Sequence, residues 1–413
     1  MELTAEEQAM VDGALGVPVQ RAIELQIEVG RFYDAKRFVP VTNVHMMGDI
    51  EVMGDGGLEH LRCLAEQHAR CVVNITTNAR CFDFAHVDSL KQDQREAEKE
   101  LQLIGYLKRM NVMTTDTCIN YQTLYQPHLG EHVAWGDTGT VIWANSVCGA
   151  RSNFESGPAA MAAAMTQRVP EYGFHLDRHR KGTFVVEVQA GLDDLAEWGA
   201  LAKLVGESHQ SYFAVPVFTG INRAPSADEL KHLGASLASY GSMAMFHMVG
   251  FTPEAPTLEA ALGGNRPVET MTIGNADIER VFASYRNPSG SCNFVVFSGP
   301  QLSLFEMKYL AGLFDGRKVC GGTTVFATTN NGVLSAARKL GYARQLEDAG
   351  VTILEGVCVY ILQNLTQMRA ANGWTNMISN SAKIVNTITA HKFNTILRRT
   401  RDCVDIACTG AFR

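Results

Sequence analysis

Apolar positions along this chain recur with a helical period in some stretches and gather into short runs in others. In "KQDQREAEKELQLIGYLKRMN", Ala97, Leu101, Ile104, Leu107 and Met110 fall at helical spacing with charges opposite, which predicts an amphipathic helix. The "VMTTDTC" that follows predicts a strand, with Cys118 just beyond its end. "GPAAMAAAMTQRV" reads as a helix opened by Pro158. "TFVVEV" at 183–188 reads as a buried strand, and "SADELKHLGASLASYG" as a helix capped by Ser226.

The last third alternates most regularly. "NFVVF", "TTVFAT" and "VTIL" read as strands, with "SLFEMKYLAGLFDG" and "GVLSAARKLGYARQLEDAG" as the helices between them. Such a βαβαβ unit builds a parallel sheet, and ligands bind beyond the carboxyl ends of its strands. The residues delivered there are Ser298-Gly299, Thr328-Thr329-Asn330 and Glu355-Gly356, with Cys358 close behind. Neither a P-loop nor a GxGxxG fingerprint occurs, which argues against nucleotide chemistry. "TPEAPTLEAALGGNRP" and "YRNPSGSC" read as loops near a lobe boundary. The expected architecture is a multi-lobed α/β/α fold with mostly parallel sheets. Its lobes are 1–165 with Cys118, 166–290, and 291–413 with Cys358 and the "SNSAK" segment.

Composition narrows the function classes. A chain of 413 residues exceeds one ordinary core. No apolar run is long enough to span a bilayer, so no membrane partner is expected. The opening "MELTAEEQAMVDG" lacks the basic and apolar regions of a secretory signal, and a cytoplasmic location is expected. The net charge of -7 argues against a nucleic-acid partner. Ten cysteines without a CxxC pair imply reduced thiols and give no support to a zinc ribbon or thioredoxin-like site.

Three polar runs are candidates for chemistry. Within residues 130–158, "NSVCGARSNFESG" offers Asn145, Ser146, Arg151, Ser152 and Asn153 among glycines; its backbone can approach a ligand and Arg151 can fork onto a carboxylate. The bland reading is a capped turn. "ISNSAKIVN" offers Ser379, Asn380, Ser381 and Lys383, the lysine either a base with a depressed pKa, a neutraliser of an anionic substrate, or a solvated helix-start residue. Near the front stand His45, Asp49, Asp55, Thr76, Thr77, Asn78, Cys81 and Asp83. His45 alone reads as a structural histidine, and His247 likewise. Cys118 is open between core thiol, nucleophile and metal ligand, with no cysteine-protease signature around it.

The segments "GDGGLEHL", "TCINYQ", "GEHVAWGDTGTVIWANSVCGARSN", "GPAAMAAAMTQRVPEYGFHLD", "HLGASLASYGSMAMFHMVGFTPEA", "GPQLSLFEM", "LEDAGVTILEGVC" and "SNSAK" run almost the whole length of the chain. In this order they resemble the large subunit, or catalytic domain, of the aconitase X family. The resemblance implies an aconitase-like α/β fold, a hydro-lyase of hydroxylated acids, and an iron–sulfur cluster held by distant cysteines. Cys118 and Cys358 match family cysteines that hold the cluster. In archaeal-type members a third cysteine precedes the Pro-His of "GCPH"; here the stretch is "SGPQ", with Gly299 at that place. Cys148 or Cys81 would then substitute, or a smaller cluster, 2Fe-2S or 3Fe-4S, would bind through fewer thiolates.

The family divides between cis-3-hydroxy-L-proline dehydratases and mevalonate 5-phosphate dehydratases, and the wording here looks closer to the first. The resemblance also implies a small swivelling-domain subunit as partner. In that setting Lys383, Ser381 and Arg151 are the catalytic candidates. Asn145, Ser146, Ser152, Asn153, Asp55, Thr77, Ser379 and Asn380 are the substrate-binding ones. A phosphorylated substrate would call on Arg151, Arg398 and Arg399. A reading of another class is a scaffold subunit without a cluster.

Overall fold

The structure is a computed structural model that describes residues 1–155, 157–285 and 292–412. Five strands belong to the first lobe: β1 (Phe38–Pro40), β2 (Asn43–Met46), β3 (Asn74–Thr77), β4 (Ala134–Trp135) and β5 (Arg168–Pro170). They form a parallel sheet in the order β3-β2-β4 and a separate antiparallel pair, β1 with β5. In the middle lobe β6 (Phe184–Val188), β7 (Pro216–Thr219), β8 (His247–Met248) and β9 (Thr270–Ile273) pair in parallel as β8-β7-β6-β9.

The third lobe carries β10 (Phe294–Phe297), β11 (Thr324–Thr329), β12 (Thr352–Glu355), β13 (Asn376–Ser379) and β14 (Asn394–Leu397). All pairs are parallel and the order is β12-β11-β10-β13-β14, so the winding reverses between β10 and β13. That reversal opens a crevice at the carboxyl ends of the strands. The four residues of "FVVF" are all buried, as a central strand covered on both faces requires. The fold is thus α/β with mostly parallel sheets, as expected. Among the described residues, no helix is long and apolar enough to cross a membrane.

Several local expectations need correction. The helix Gln94–Arg109 buries Ala97, Glu100, Leu103 and Leu107 and exposes Leu101. The inward stripe is displaced because Glu100 is held inside, accepting from Arg80 at 2.6 Å and from the Ile50 amide at 2.7 Å. "VMTTDTC" forms only a single bridge, Thr76 to Met113, and no strand. "GVLSAARKLGYARQLEDAG" is two helices, Asn331–Lys339 and Tyr342–Ala349, because Gly341 takes a left-handed conformation with φ 84°. Most of the "YRNPSGSC" boundary passage, 286–291, lies outside the described residues.

The middle and third lobes are joined by a buried ionic cluster. Ser226 caps the helix Ala227–Gly241, which presents Lys231 and His232. Ser303 caps the helix Leu304–Leu313 with Glu306 as its capping-box partner. Lys231 pairs with Glu306 and, at 3.2 Å, with Asp228; His232 Nε2 lies 2.8 Å from the other Glu306 oxygen. Burial works to raise the Glu306 pKa, but Lys231 and His232 more than offset it and hold it at about 2. A carboxylate depressed in this way adds stability above its unfolded pKa of about 4.3, and that stability is lost as pH falls toward 2. Lys231→Met strands the Glu306 charge and is expected to cost on the order of 3–5 kcal/mol in urea unfolding at pH 7, with Lys231→Met/Glu306→Leu recovering most of it.

Candidate active site

The carboxyl ends of the first-lobe and third-lobe sheets supply one set of buried polar side chains. From the first lobe come His45 in β2 and Asp49 just beyond it, Asn78 after β3 and Asp137 after β4. From the third come Ser298 after β10, Cys358 after β12, and the Ser379–Lys383 segment after β13. Cys118 stands between them on a loop anchored by the Thr117 amide bonding the Thr77 carbonyl at 3.1 Å.

The two thiols, 240 residues apart in sequence, are held by one short segment, Ser298–Gln301. The Gln301 amide donates to Cys118 Sγ at 3.2 Å, while Gln301 Oε1 accepts from the Cys118 amide at 3.2 Å. Gln301 Nε2 donates to the Asp116 carbonyl at 3.1 Å and to the Val357 carbonyl, next to Cys358, at 3.2 Å. Ser298 Oγ lies 3.8 Å from Cys358 Sγ and accepts from Thr328 at 2.7 Å. Lys231 Nζ reaches in from the middle lobe and donates to the Gln301 carbonyl at 3.1 Å.

Lys383 lies on the helix Ala382–Thr387, buried, with Asp137 at 3.6 Å. Burial disfavours its charge, yet Asp137 and the two sulfurs outweigh that and raise its pKa. It is a permanent cation and not the depressed-pKa base that the sequence left open. Asp137 also caps the helix Thr138–Ser146, accepting from the Gly139 amide at 2.9 Å. Burial pushes up both thiols, and Lys383 opposes the shift in each. Burial lowers the His45 pKa to about 4, with Asp137 opposing, so its imidazole is neutral near pH 7. Burial, then Glu100, raises Asp49 to about 7. The Tyr360 phenol is raised by burial and then by Asp137, Cys358, Cys118 and Asp49.

At the carboxyl edge of the first-lobe sheet, His45 is in hydrogen-bonding range of the Asn78 side chain and the Thr117 backbone, and Asp49 of Cys81. A cleft of about 690 Å³ opens between the first and third lobes, lined by neither the thiols nor Lys383. Its lining includes Asp116, Thr117 and Gly356, on the two thiol-bearing loops.

Other candidates take different places. The "TGTVIWANS" part of the polar run is a buried helix, and the hydrogen bonds of its neighbours are internal. Asn145 bonds the Ser152 and Ala244 carbonyls at 2.9 Å each and accepts from the Ser152 amide at 3.0 Å. Ser146 accepts from Phe246 at 2.9 Å, Ser152 from Trp135 at 3.1 Å, and Asn153 from Phe174 at 3.0 Å. Arg151 is bridged to His132, at the amino-terminal side of β4 and so away from Asp137, and is ion-paired with Asp177. Asp55 is exposed and pairs with Lys99 at 2.7 Å. Thr77 donates to Asp116 at 2.9 Å.

Within the third-lobe segment, Ser379 Oγ accepts from the Ser381 amide at 3.1 Å and Asn380 donates to Thr400 at 3.0 Å. Ser381 caps the Lys383 helix and donates to the Gly299 carbonyl. Sequence reasoning missed Asp137, Gln301 and Tyr360, and it took His45 as merely structural. The one signal for Asp137 was a lone acid in "WGDTG" within an apolar stretch.

Cys118 and Cys358 fit an iron–sulfur group as a donor set: soft sulfurs, each with an N–H or O–H group directed at it, in a low-dielectric setting. Neither proposed third ligand joins them. Cys148 follows the helix Thr138–Ser146 beside Trp143 and Glu131, and Cys81 faces Asp49 and Glu100. Gly299 has φ +64°, and a Cβ there would lie 3.0 Å from Ile384 Cβ, so the third-cysteine place is shaped for glycine. Among the described residues, no group of three or more His, Cys, Asp or Glu converges as a metal site.

Comparison with known proteins agrees with this architecture. The chain matches the aconitase X first domain over residues 1–178, the second over 182–283 and the third over 292–409. It superposes on a crystal structure of Thermococcus kodakaraensis aconitase X, holo-form, with TM-score 0.88 and 28% identity, covering 98% of this chain and 100% of that one. The phosphomevalonate dehydratase large subunit of Methanocaldococcus jannaschii is 30% identical over 90% of this chain and 93% of that protein. The cis-3-hydroxy-L-proline dehydratase of Pseudomonas aeruginosa is 28% identical over 92% of this chain and 65% of that protein. Fold, site and relatives define an enzyme of the hydro-lyase class. Within that class the chain belongs to the aconitase X family.

The neutral state of His45 is directly testable. Its NMR titration is expected to show a midpoint of about 4, and Asp137→Asn, which removes the nearby negative charge, is expected to move that midpoint lower still.

Proposed function

We propose that this chain is the large subunit of an iron–sulfur-dependent dehydratase that converts cis-3-hydroxy-L-proline to 1-pyrroline-2-carboxylate. The observation that carries the reading is the attachment of Cys118 and Cys358 to the Ser298–Gln301 segment beside the cation Lys383. The two sulfurs would hold the cluster, whose iron supplies Lewis acidity toward a substrate oxygen when bound. Lys383, kept charged and oriented by Asp137, offsets the negative charge that grows on the substrate carboxylate as its α-proton leaves. Loss of hydroxide from the neighbouring carbon then gives an enamine, which tautomerises to the cyclic imine with net release of one water. Burial around the thiols keeps the charge interactions strong.

A small swivelling-domain subunit completes the proposed assembly. The name "large subunit" carried by several relatives supports it, as does the extra length of the cis-3-hydroxy-L-proline dehydratases, of which this chain spans 65–69%. The α-proton base is assigned to that partner, because the lysine here is a fixed cation. The reading also places the enzyme in the cytoplasm, where ten reduced cysteines are at home.

Mevalonate 5-phosphate is the second substrate reading, favoured by identities of 30–32% to three phosphomevalonate dehydratase large subunits. Against it, the arginines a phosphate would recruit are engaged elsewhere. Arg151 pairs with Asp177, Arg399 with Glu197 and Glu279, and Arg398 donates to the Leu397 and Tyr285 carbonyls.

Anaerobic co-expression with the small subunit tests the proposal. Expected are broad visible absorbance, iron and sulfide, all lost in Cys118→Ser and Cys358→Ser, with imine formed from cis-3-hydroxy-L-proline. An iron-free protein that still dehydrates the substrate defeats the cluster; turnover of mevalonate 5-phosphate alone moves the substrate assignment to the second reading. Lys383→Gln is expected to lower kcat on the order of 100- to 1000-fold at unchanged iron content.

A further inference from the structure

The segment Ser298–Gln301 bonds to the two thiols in unequal ways. Cys118 and Gln301 are joined by a reciprocal pair: the Gln301 amide donates to Cys118 Sγ, and the Cys118 amide donates to Gln301 Oε1, each at 3.2 Å. Two directional bonds between the same residues fix the Cys118 sulfur in orientation as well as distance. Gln301 Nε2 uses both of its hydrogens on main-chain carbonyls, that of Asp116 at 3.1 Å and that of Val357 at 3.2 Å. The first carbonyl lies two residues before Cys118 and the second lies one before Cys358, so a single planar amide spans both thiol-bearing loops.

Cys358 is held more lightly. Ser298 Oγ accepts from Thr328 at 2.7 Å and from the Val359 amide at 3.3 Å, which leaves its own hydrogen for Cys358 Sγ at 3.8 Å. Gln301 and both cysteines are buried, so a bond lost here is not replaced by one to bulk water.

We propose that Gln301 is the positioning residue for the two thiolates: its side-chain amide sets their separation, and its main-chain N–H supports the Cys118 sulfur as a ligand. The inference rests on the iron–sulfur reading and deepens it by naming the residue that holds the donor pair ready. Ligands fixed in advance lose little freedom when a metal group binds, and the hydrogen bonds to its sulfurs tune its potential.

Two variants test the role. Gln301→Met keeps the length of the side chain and removes all of its hydrogen bonds. Gln301→Glu keeps the acceptor for the Cys118 amide and loses the paired donor to the two carbonyls. On the assembled, anaerobic enzyme, iron release to excess EDTA is expected to be about 10- to 100-fold faster in both variants. The reduction potential of the iron they retain is expected to differ from that of the wild type.

A second readout needs no cluster. In the iron-free complex, alkylation of single cysteines by iodoacetamide is followed by mass spectrometry. Cys118 and Cys358 are expected to react at least tenfold faster in both variants. Cys71 and Cys403, buried in other parts of the first-lobe and third-lobe cores, are expected to keep their wild-type rates. Wild-type labelling and iron release in the folded variants overturn the proposal and leave the cluster reading standing. Equal acceleration at all four cysteines also overturns it, because that is general loosening. Wild-type behaviour of Gln301→Glu alone overturns the bridging role of the amide donor. If the wild-type enzyme takes up no iron while the labelling pattern holds, the positioning role stands and the cluster reading falls.

Discussion

Five hydrogen bonds converge on Gln301, and through them loops of the first and third lobes and a helix of the middle lobe are held in one register. The residue is fully buried, and both its side-chain groups and both its backbone groups are paired. A buried amide satisfied in this way tolerates little displacement of its partners, since any lost bond leaves a desolvated group behind. The position of Cys118 is thereby tied to that of Val357 and so to Cys358. The ionic cluster around Glu306 serves the same end, because Lys231 bonds both Glu306 and the Gln301 carbonyl.

Electrostatics divides the interior between the sheets into unlike walls. The third lobe contributes a lysine whose charge is secured by an aspartate from the opposite lobe. The first lobe contributes a neutral imidazole, an amide oxygen and a carboxyl poised near neutrality. This polarity arises from topology: parallel strands deliver loop residues to one edge, and two such edges meet here.

The strands and capped helices were legible in the sequence because their signals are local. "FVVF" has the all-apolar run of a strand covered on both faces, and Ser226 with Glu229 makes a capping box three residues apart. Cys118 and Cys358 were expected beyond strand ends from the sequence pattern, and their pairing was expected through likeness to a family. What stayed hidden depends on distant partners. Glu100 broke the apparent apolar stripe of its helix because its counter-charge, Arg80, comes from another segment. "NSVCGARSN" looked like a ligand loop because its amides and hydroxyls resemble a binding site, yet the fold pairs them with one another and with neighbouring backbone. Gln301 carries no charge and no motif, and only the assembled loops show what it holds.

The seam between the first and third lobes is sewn with main-chain bonds. The Arg80 amide donates to the Gly356 carbonyl at 2.7 Å, Gln363 to Cys81 at 3.1 Å, and Glu355 to the Asp83 carboxylate at 2.9 Å. Hinging these lobes apart would break all of these bonds together. Opening one lobe against the other would therefore strand several desolvated donors and acceptors at once, which keeps the two sheet edges at a fixed separation.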